Sequence, residues 1–194
     1  MTKARMTRQM ILQNSFGLIY RKGFKTTSID DILATTHLTK GAFFYHFKNK
    51  DEMGLAMINE IMHAGVKKKL LIHIQGKKNA KSAIYEMMKK LLYDTDFFDF
   101  RYGCPTVNLV DEMSPLNEDF NKALKKVMAE WHDAIVSCIA NDKKLLEESP
   151  DLDPKAIARF VMSGYAGARN MGKIFGMESY SDYLKELKKY LHHI

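Results

Sequence analysis

Apolar residues recur at three- and four-residue steps along nearly the whole chain, and no segment sustains the two-residue alternation of a half-buried strand. Leu12, Phe16 and Ile19 fall on one helical face; Phe120, Leu124, Val127, Trp131, Ile135 and Cys138 trace a second. Tyr180, Tyr183, Leu184, Leu187, Tyr190, Leu191 and Ile194 form a third stripe near the end. A chain patterned in this way folds as an all-α protein, because each stripe needs another helix to cover it. The spacing predicts a helix over 7–22 stopped by Gly23, a short one from Ile29 to about Thr35, and one of about two turns from Lys40 to Phe47. A long helix from Asp51 through Gln75 follows, then helices over 83–92, 105–113 and through the Trp131 stripe, with a final pair over 154–173 and 180–193. There is no internal repeat and no low-complexity run.

The 194 residues suffice for a sizeable core. The longest uncharged run, Gln9–Tyr20, is 12 residues, too short for a bilayer, and no leader sequence is visible. The expected location is the bacterial cytoplasm, close to the nucleoid, with no membrane partner. Cys104 and Cys138 have neither zinc-finger nor CxxC spacing, so they read as reduced core thiols; a redox role for either stays open. No metal site and no cofactor are expected. Nucleophile-elbow, zincin, P-loop and dinucleotide motifs are absent, and adjacent acids such as Asp111-Glu112 diverge on a helix, so no catalytic residues are assigned and an enzyme is not expected.

The charge is unevenly spread. Residues 1–50 hold nine Lys/Arg against two acids, which accounts for the whole formal net charge of +7; the other 144 residues balance 21 against 21. A basic module attached to a neutral one is suited to a polyanion. This divides the chain into an N-terminal domain, 1–50, and a C-terminal domain, 51–194.

Within the basic quarter the two short helices joined by a tight turn, Thr36-His37-Leu38, make a helix-turn-helix. The second helix would enter the major groove of double-stranded DNA. Gly41 and Ala42 are small enough for close approach, and Ala42 offers a methyl to thymine. Tyr45 and His46 can donate to phosphate, Lys40 and Lys50 can neutralise it, and Thr27 and Thr39 add hydroxyl and main-chain contacts at helix starts.

Gly23-Phe24-x-x-Thr27-Ser28-Ile29-x-Asp31-Ile32, followed by Leu38 to Glu52 (LTKGAFFYHFKNKDE), resembles the DNA-binding domain of the TetR/AcrR transcriptional repressors over roughly residues 7–58. The sequence departs from the family pattern in three places: Thr36-His37 stands for Ala-Gly in the turn, Phe44 for Tyr, and Ala42 for Thr. The resemblance implies a homodimer on a pseudo-palindromic operator, released when a small-molecule effector enters the C-terminal domain; an activator, or a regulator without such a ligand, is the alternative. It also implies that the last two helices pair with their copies. Gly164, Gly167 and Ala168 are small enough for close approach, and Tyr183, Leu184, Leu187 and Leu191 need an apolar cover. A partly apolar effector would touch Tyr102, Asn108, Met128, Trp131 and His132, and the helix after residue 51 would carry the movement.

Overall fold

The computed structural model describes residues 2–66, 72–95 and 98–194, and every regular element among them is helical. None of these helices is long and apolar enough to cross a membrane. Packing divides the chain into two compact units that are not consecutive in sequence: residues 1–64 with 105–126, and 65–104 with 127–194. The division at residue 50 follows charge, whereas these units follow packing.

The first unit starts with α1 (Lys3–Lys22), capped by the Thr2 hydroxyl and closed by Gly23 at φ 90°. Its last turn carries Arg21 and Lys22, which suit the negative end of the helix dipole. α2 (Ile29–Thr36) starts in a capping box: Ser28 accepts the Asp31 N–H, and the Asp31 carboxylate accepts the Ser28 N–H. The Ser28 N–H and hydroxyl, both donating to the carboxylate, hold the Asp31 carboxyl below its ordinary value of 3.8. α3 (Lys40–His46) and α4 (Lys50–Met57) follow, capped by Thr39 and Asn49. Ile11, Leu12, Ile32, Phe43, Phe47, Met53 and Met57 are buried together with Phe24.

The predicted helix over 51–75 is not uniform in pitch. After α4 the backbone widens into a π-helical stretch, Ile58–Met62, and returns to α5 (His63–Val66). Residues 67–71 lie outside the described part, and α6 (Ile72–Ile74) is a single turn. No proline or glycine inside 58–62 announces the change of pitch. The chain comes back to this unit much later with α8 (Pro105–Met113) and the start of α9 (Glu118–Ala140).

The second unit holds α7 (Ala80–Leu92), the rest of α9, α10 (Lys143–Glu148), α11 (Pro154–Phe175) and α12 (Glu178–His193). One buried carboxylate caps two helices: Asp142 accepts the N–H of Ala80 at 2.8 Å and of Leu145 at 3.1 Å. Both cysteines are buried and free, and burial pushes the Cys138 thiol up.

α11 and α12 pack closely because glycines let tyrosine rings reach the α11 backbone. A Cβ at position 172 would stand 2.6 Å from Tyr180 Cε1, and one at 164 would collide with the Tyr183 ring. The Tyr183 hydroxyl donates to the Val161 carbonyl at 2.8 Å. Several of the small residues and of the Tyr/Leu stripe expected at an intermolecular seam also make contacts within the chain. Gly164, Ala168, Tyr183, Leu184, Leu187 and Leu191 are engaged or buried within one chain. Of that set only Gly167 faces open space, and it shares a helical face with Phe160, Met171 and Ile174, which are 51%, 46% and 73% exposed.

Candidate nucleic-acid interface

α3 is held from behind by its own aromatic residues. Phe43 and Phe47 are buried with ring centroids 5.7 Å apart, and the Arg8 guanidinium lies 5.0 Å over Phe47. The Thr39 hydroxyl accepts the Ala42 N–H at 3.2 Å and fixes where the helix starts. The turn before it closes without glycine: His37 takes the left-handed conformation, φ 55° and ψ 25°, and donates its N–H to the Leu33 carbonyl at 3.0 Å. Histidine is among the non-glycine residues that tolerate this region.

On the outward side Thr39, Lys40, Gly41, Phe44 and Tyr45 are exposed, and Ala42 and His46 are half-buried. Tyr45 is 77% exposed, so its ring and hydroxyl are accessible from solvent. The structure thus brings seven of the nine sequence-predicted contacts together on one short helix and its cap.

The other two are employed elsewhere. Thr27 is fully buried, and its hydroxyl donates to the Gly23 carbonyl at 2.7 Å. The Lys50 ammonium donates to the carbonyls of Phe24 and Thr27, both at 2.9 Å, and lies 4.6 Å from the centroid of the Phe24 ring. Both side chains donate to backbone carbonyls, and so shape the turn between α1 and α2.

That turn is also held from the opposite direction in sequence. The Glu112 carboxylate on α8 accepts the N–H of Phe24 at 2.8 Å and of Lys25 at 2.7 Å. The Phe24 ring meets Phe120 edge to face at 4.9 Å, and Gly54 leaves room for both: a Cβ there would stand 2.5 Å from Phe24 Cε2 and 2.7 Å from Phe120 Cζ.

The basic excess is partly neutralised at home. Arg8 makes a two-pronged ion pair with Glu60, Lys40 reaches Asp30 at 2.9 Å, and Lys22 reaches Asp31 at 3.6 Å. Exposed pairs of this kind contribute little to stability, so Lys40 remains available to an anion. Lys25 and Lys48, which sequence reasoning passed over, are exposed and have no ion pair among the described residues.

The effector candidates are less coherent. Asn108 lies in the first unit and Tyr102, Met128, Trp131 and His132 in the second. Trp131 is buried edge-on to Tyr165 at 5.1 Å, and its Nε1 has no hydrogen-bond partner among the described residues; His132 Nδ1 is 2.9 Å from Asp133. Two open pockets of about 560 and 760 Å³ in the second unit are lined by other residues, including Glu130, Ser137 and Cys138 in one and Tyr85, Lys185 and His192 in the other. Sequence reasoning also missed Arg169, a fully buried guanidinium. It donates to the Tyr165 and Tyr180 hydroxyls at 3.1 and 3.2 Å and to the Leu91 carbonyl, with the Phe98 ring 4.3 Å away. Burial pushes the Tyr165 hydroxyl well above its ordinary value of 10.0.

A chain whose regular elements are all helical among the described residues, and whose basic N-terminal quarter carries a helix-turn-helix, has the make-up of a regulator of the helix-turn-helix class. The family model described as bacterial regulatory proteins, tetR family, matches residues 11–57, and that of the tetracyclin repressor-like C-terminal domain matches residues 83–187. The chain belongs to the TetR family of DNA-binding transcriptional regulators. It is 37% identical over 128 residues to an uncharacterised helix-turn-helix-type regulator of Lactococcus lactis subsp. lactis, a match covering 65% of this chain and 64% of that protein. It is 27% identical over 167 residues to the transcriptional regulator AcuR of Cereibacter sphaeroides, covering 85% and 75%. Among solved structures, a TetR-family regulator from Cytophaga hutchinsonii superposes with a TM-score of 0.85 at 24% identity over 100% of this chain and 97% of its own. Reduced Escherichia coli NemR superposes with a TM-score of 0.75 at 24% identity, over 94% and 96%.

Proposed function

We propose that this regulator is an effector-responsive repressor that works as a homodimer in the bacterial cytoplasm. In each protomer α3 docks in the major groove of one half-site of a pseudo-palindromic operator. Gly41 and Ala42 approach the base edges, Phe44 and Tyr45 cover the sugar-phosphate wall, and His46, Thr39 and Lys40 engage phosphate. Lys48 and Lys25 supply the further cationic contacts in place of Lys50. The observation that carries this reading is the exposed aromatic face of α3, backed by the buried Phe43 and Phe47, within the quarter of the chain that holds its whole net positive charge.

Dimerisation is assigned to the open face of α11 around Gly167, with Phe160, Met171 and Ile174. An effector would act by population shift, favouring a protomer arrangement in which the two α3 helices no longer match half-sites about one helical turn apart. Trp131, Met128, His132 and Tyr102 remain candidates for that ligand in the second unit, and Asn108 in the first. The name of Escherichia coli NemR, a repressor 29% identical over 121 residues, agrees with the sign of regulation proposed.

The test is selection from random-sequence duplex DNA, followed by a salt titration of the selected duplex. Steep, linear loss of log affinity with log salt is expected, with one palindromic site per dimer. A monomer that enriches no sequence would overturn the reading.

A further inference from the structure

The chain enters the first unit twice. It leaves after residue 64, builds α7, and returns as residues 105–126 before re-entering the second unit at Val127. Cys104 and Val127, at the two ends of that return, are both buried in the second unit. The return segment does not merely lie on the surface of the first unit. Its Glu112 carboxylate accepts both N–H groups of the peptide pair Phe24-Lys25, and its Phe120 closes over the Phe24 ring.

The surroundings of Glu112 are unusually well defined for a surface acid. A Cβ at Gly23 would come within 3.2 and 3.3 Å of the two carboxylate oxygens, and Gly23 already sits at φ 90°, so both spacing and conformation favour glycine there. Lys50 holds the carbonyl side of the same turn, and Thr27 ties the turn to Gly23. The turn is therefore gripped on its N–H side by an anion from α8 and on its carbonyl side by a cation from α4. It runs directly into Ser28, the cap of α2, and α2 leads through His37 to α3.

We infer that Glu112 is a positioning residue for operator binding: its carboxylate clamps the turn between α1 and α2, and through it sets the orientation of α3. This rests on the reading that α3 docks in the groove. It deepens that reading by naming the bond through which residues 105–126 act on the recognition helix. When the clamp is intact, α2 and α3 are held in the docking orientation; when α8 shifts, the Phe24 and Lys25 amides are released and the orientation is lost. Glu112 itself touches no nucleic acid in this mechanism.

The sign of the effect separates the clamp from simple electrostatics. Removing a carboxylate from a basic DNA-binding unit should strengthen binding if only the field matters. The clamp predicts the reverse. With a duplex selected by the wild-type chain, Glu112→Ala should bind about tenfold more weakly or worse, and Glu112→Gln should fall between, because its amide oxygen still accepts while the charge is gone. Hydrogen exchange of the Phe24 and Lys25 amides should accelerate about tenfold in Glu112→Ala, with the Ile11 and Leu12 amides of α1 unchanged. Measurements are made where circular dichroism shows each variant fully folded, so a lower melting temperature alone does not count in favour. Equal or tighter binding by folded Glu112→Ala, or unchanged exchange at Phe24 and Lys25, would overturn the clamp. Failure of the wild-type chain to enrich any duplex would instead overturn the operator reading beneath it.

Discussion

α3 and α11 are both helices with residues left facing outward, yet their sequences inform about them unequally. On α3 the exposed and buried faces follow from neighbours a few residues away: Thr39 caps, Phe43 and Phe47 bury, and Phe44 and Tyr45 are left over. On α11 the small residues serve two faces. Gly164 and Gly172 are consumed by Tyr183 and Tyr180 of the same chain, while Gly167 stays open. A small residue in a helix marks close approach, but does not say whether the approaching group belongs to the same molecule.

The sharpest break of this comparison is a pair of substitutions. Leu187→Glu buries a carboxylate at a closed position, 2% exposed, and should cost about 4 kcal/mol or more, giving a chain without a cooperative melt. Ile174→Glu, at a position 73% exposed, should leave far-ultraviolet circular dichroism unchanged and convert a dimer to a monomer in sedimentation. If Leu187→Glu is instead a folded monomer, the assignment of the two faces is reversed.

The backing of α3 is tested by Phe43→Ala, which removes a fully buried ring and should destabilise the first unit by about 3–5 kcal/mol in chemical unfolding. A smaller effect accompanies the two lysines. Lys50→Ala should lower stability by about 1–3 kcal/mol while leaving the salt dependence of DNA binding intact, since its ammonium is occupied by backbone carbonyls. Lys48→Ala should do the opposite, flattening the salt slope by about one unit with little change in melting. Identical slopes for wild type and Lys48→Ala would remove Lys48 from the contacts.

The smallest effect concerns pH. The Asp31 carboxyl is held below its ordinary value of 3.8, chiefly by the Ser28 N–H and hydroxyl. A carboxyl with a lowered folded value stabilises above its unfolded value, and that contribution is lost as pH falls through the lowered one. Acid titration followed at the Ser28 amide by NMR should show the capping box opening only below the ordinary aspartate range. Asp31→Asn should abolish that transition.

Much of the first unit was legible because its signals are local. Ser28 with Asp31, the turn at Thr36-His37 and the pair Phe43 and Phe47 each lie within four residues of their partners. The structural bonds of Thr27 and Lys50 were not legible: an exposed-looking hydroxyl and ammonium match phosphate, while the competing acceptors, for Lys50 the backbone carbonyls of a turn 23–26 residues away, leave no trace in composition. Glu112 was equally hidden, lying 88 residues from Phe24. The change of pitch after Met57 escaped because a π-helical stretch needs no glycine or proline. In the second unit, Arg169 reads in sequence as one more surface cation of a long helix; only the convergence of Leu91, Tyr165 and Tyr180 makes it internal.

The return of residues 105–126 to the first unit also bears on how such proteins can be recombined. A chimaera made by cutting after α4 would carry the α3 surface intact. It would leave Phe24 without Phe120 and the turn amides without Glu112. In this chain a transplantable head is therefore a two-piece part, and a graft taken from it should keep its turn in place only when the second piece travels with the first.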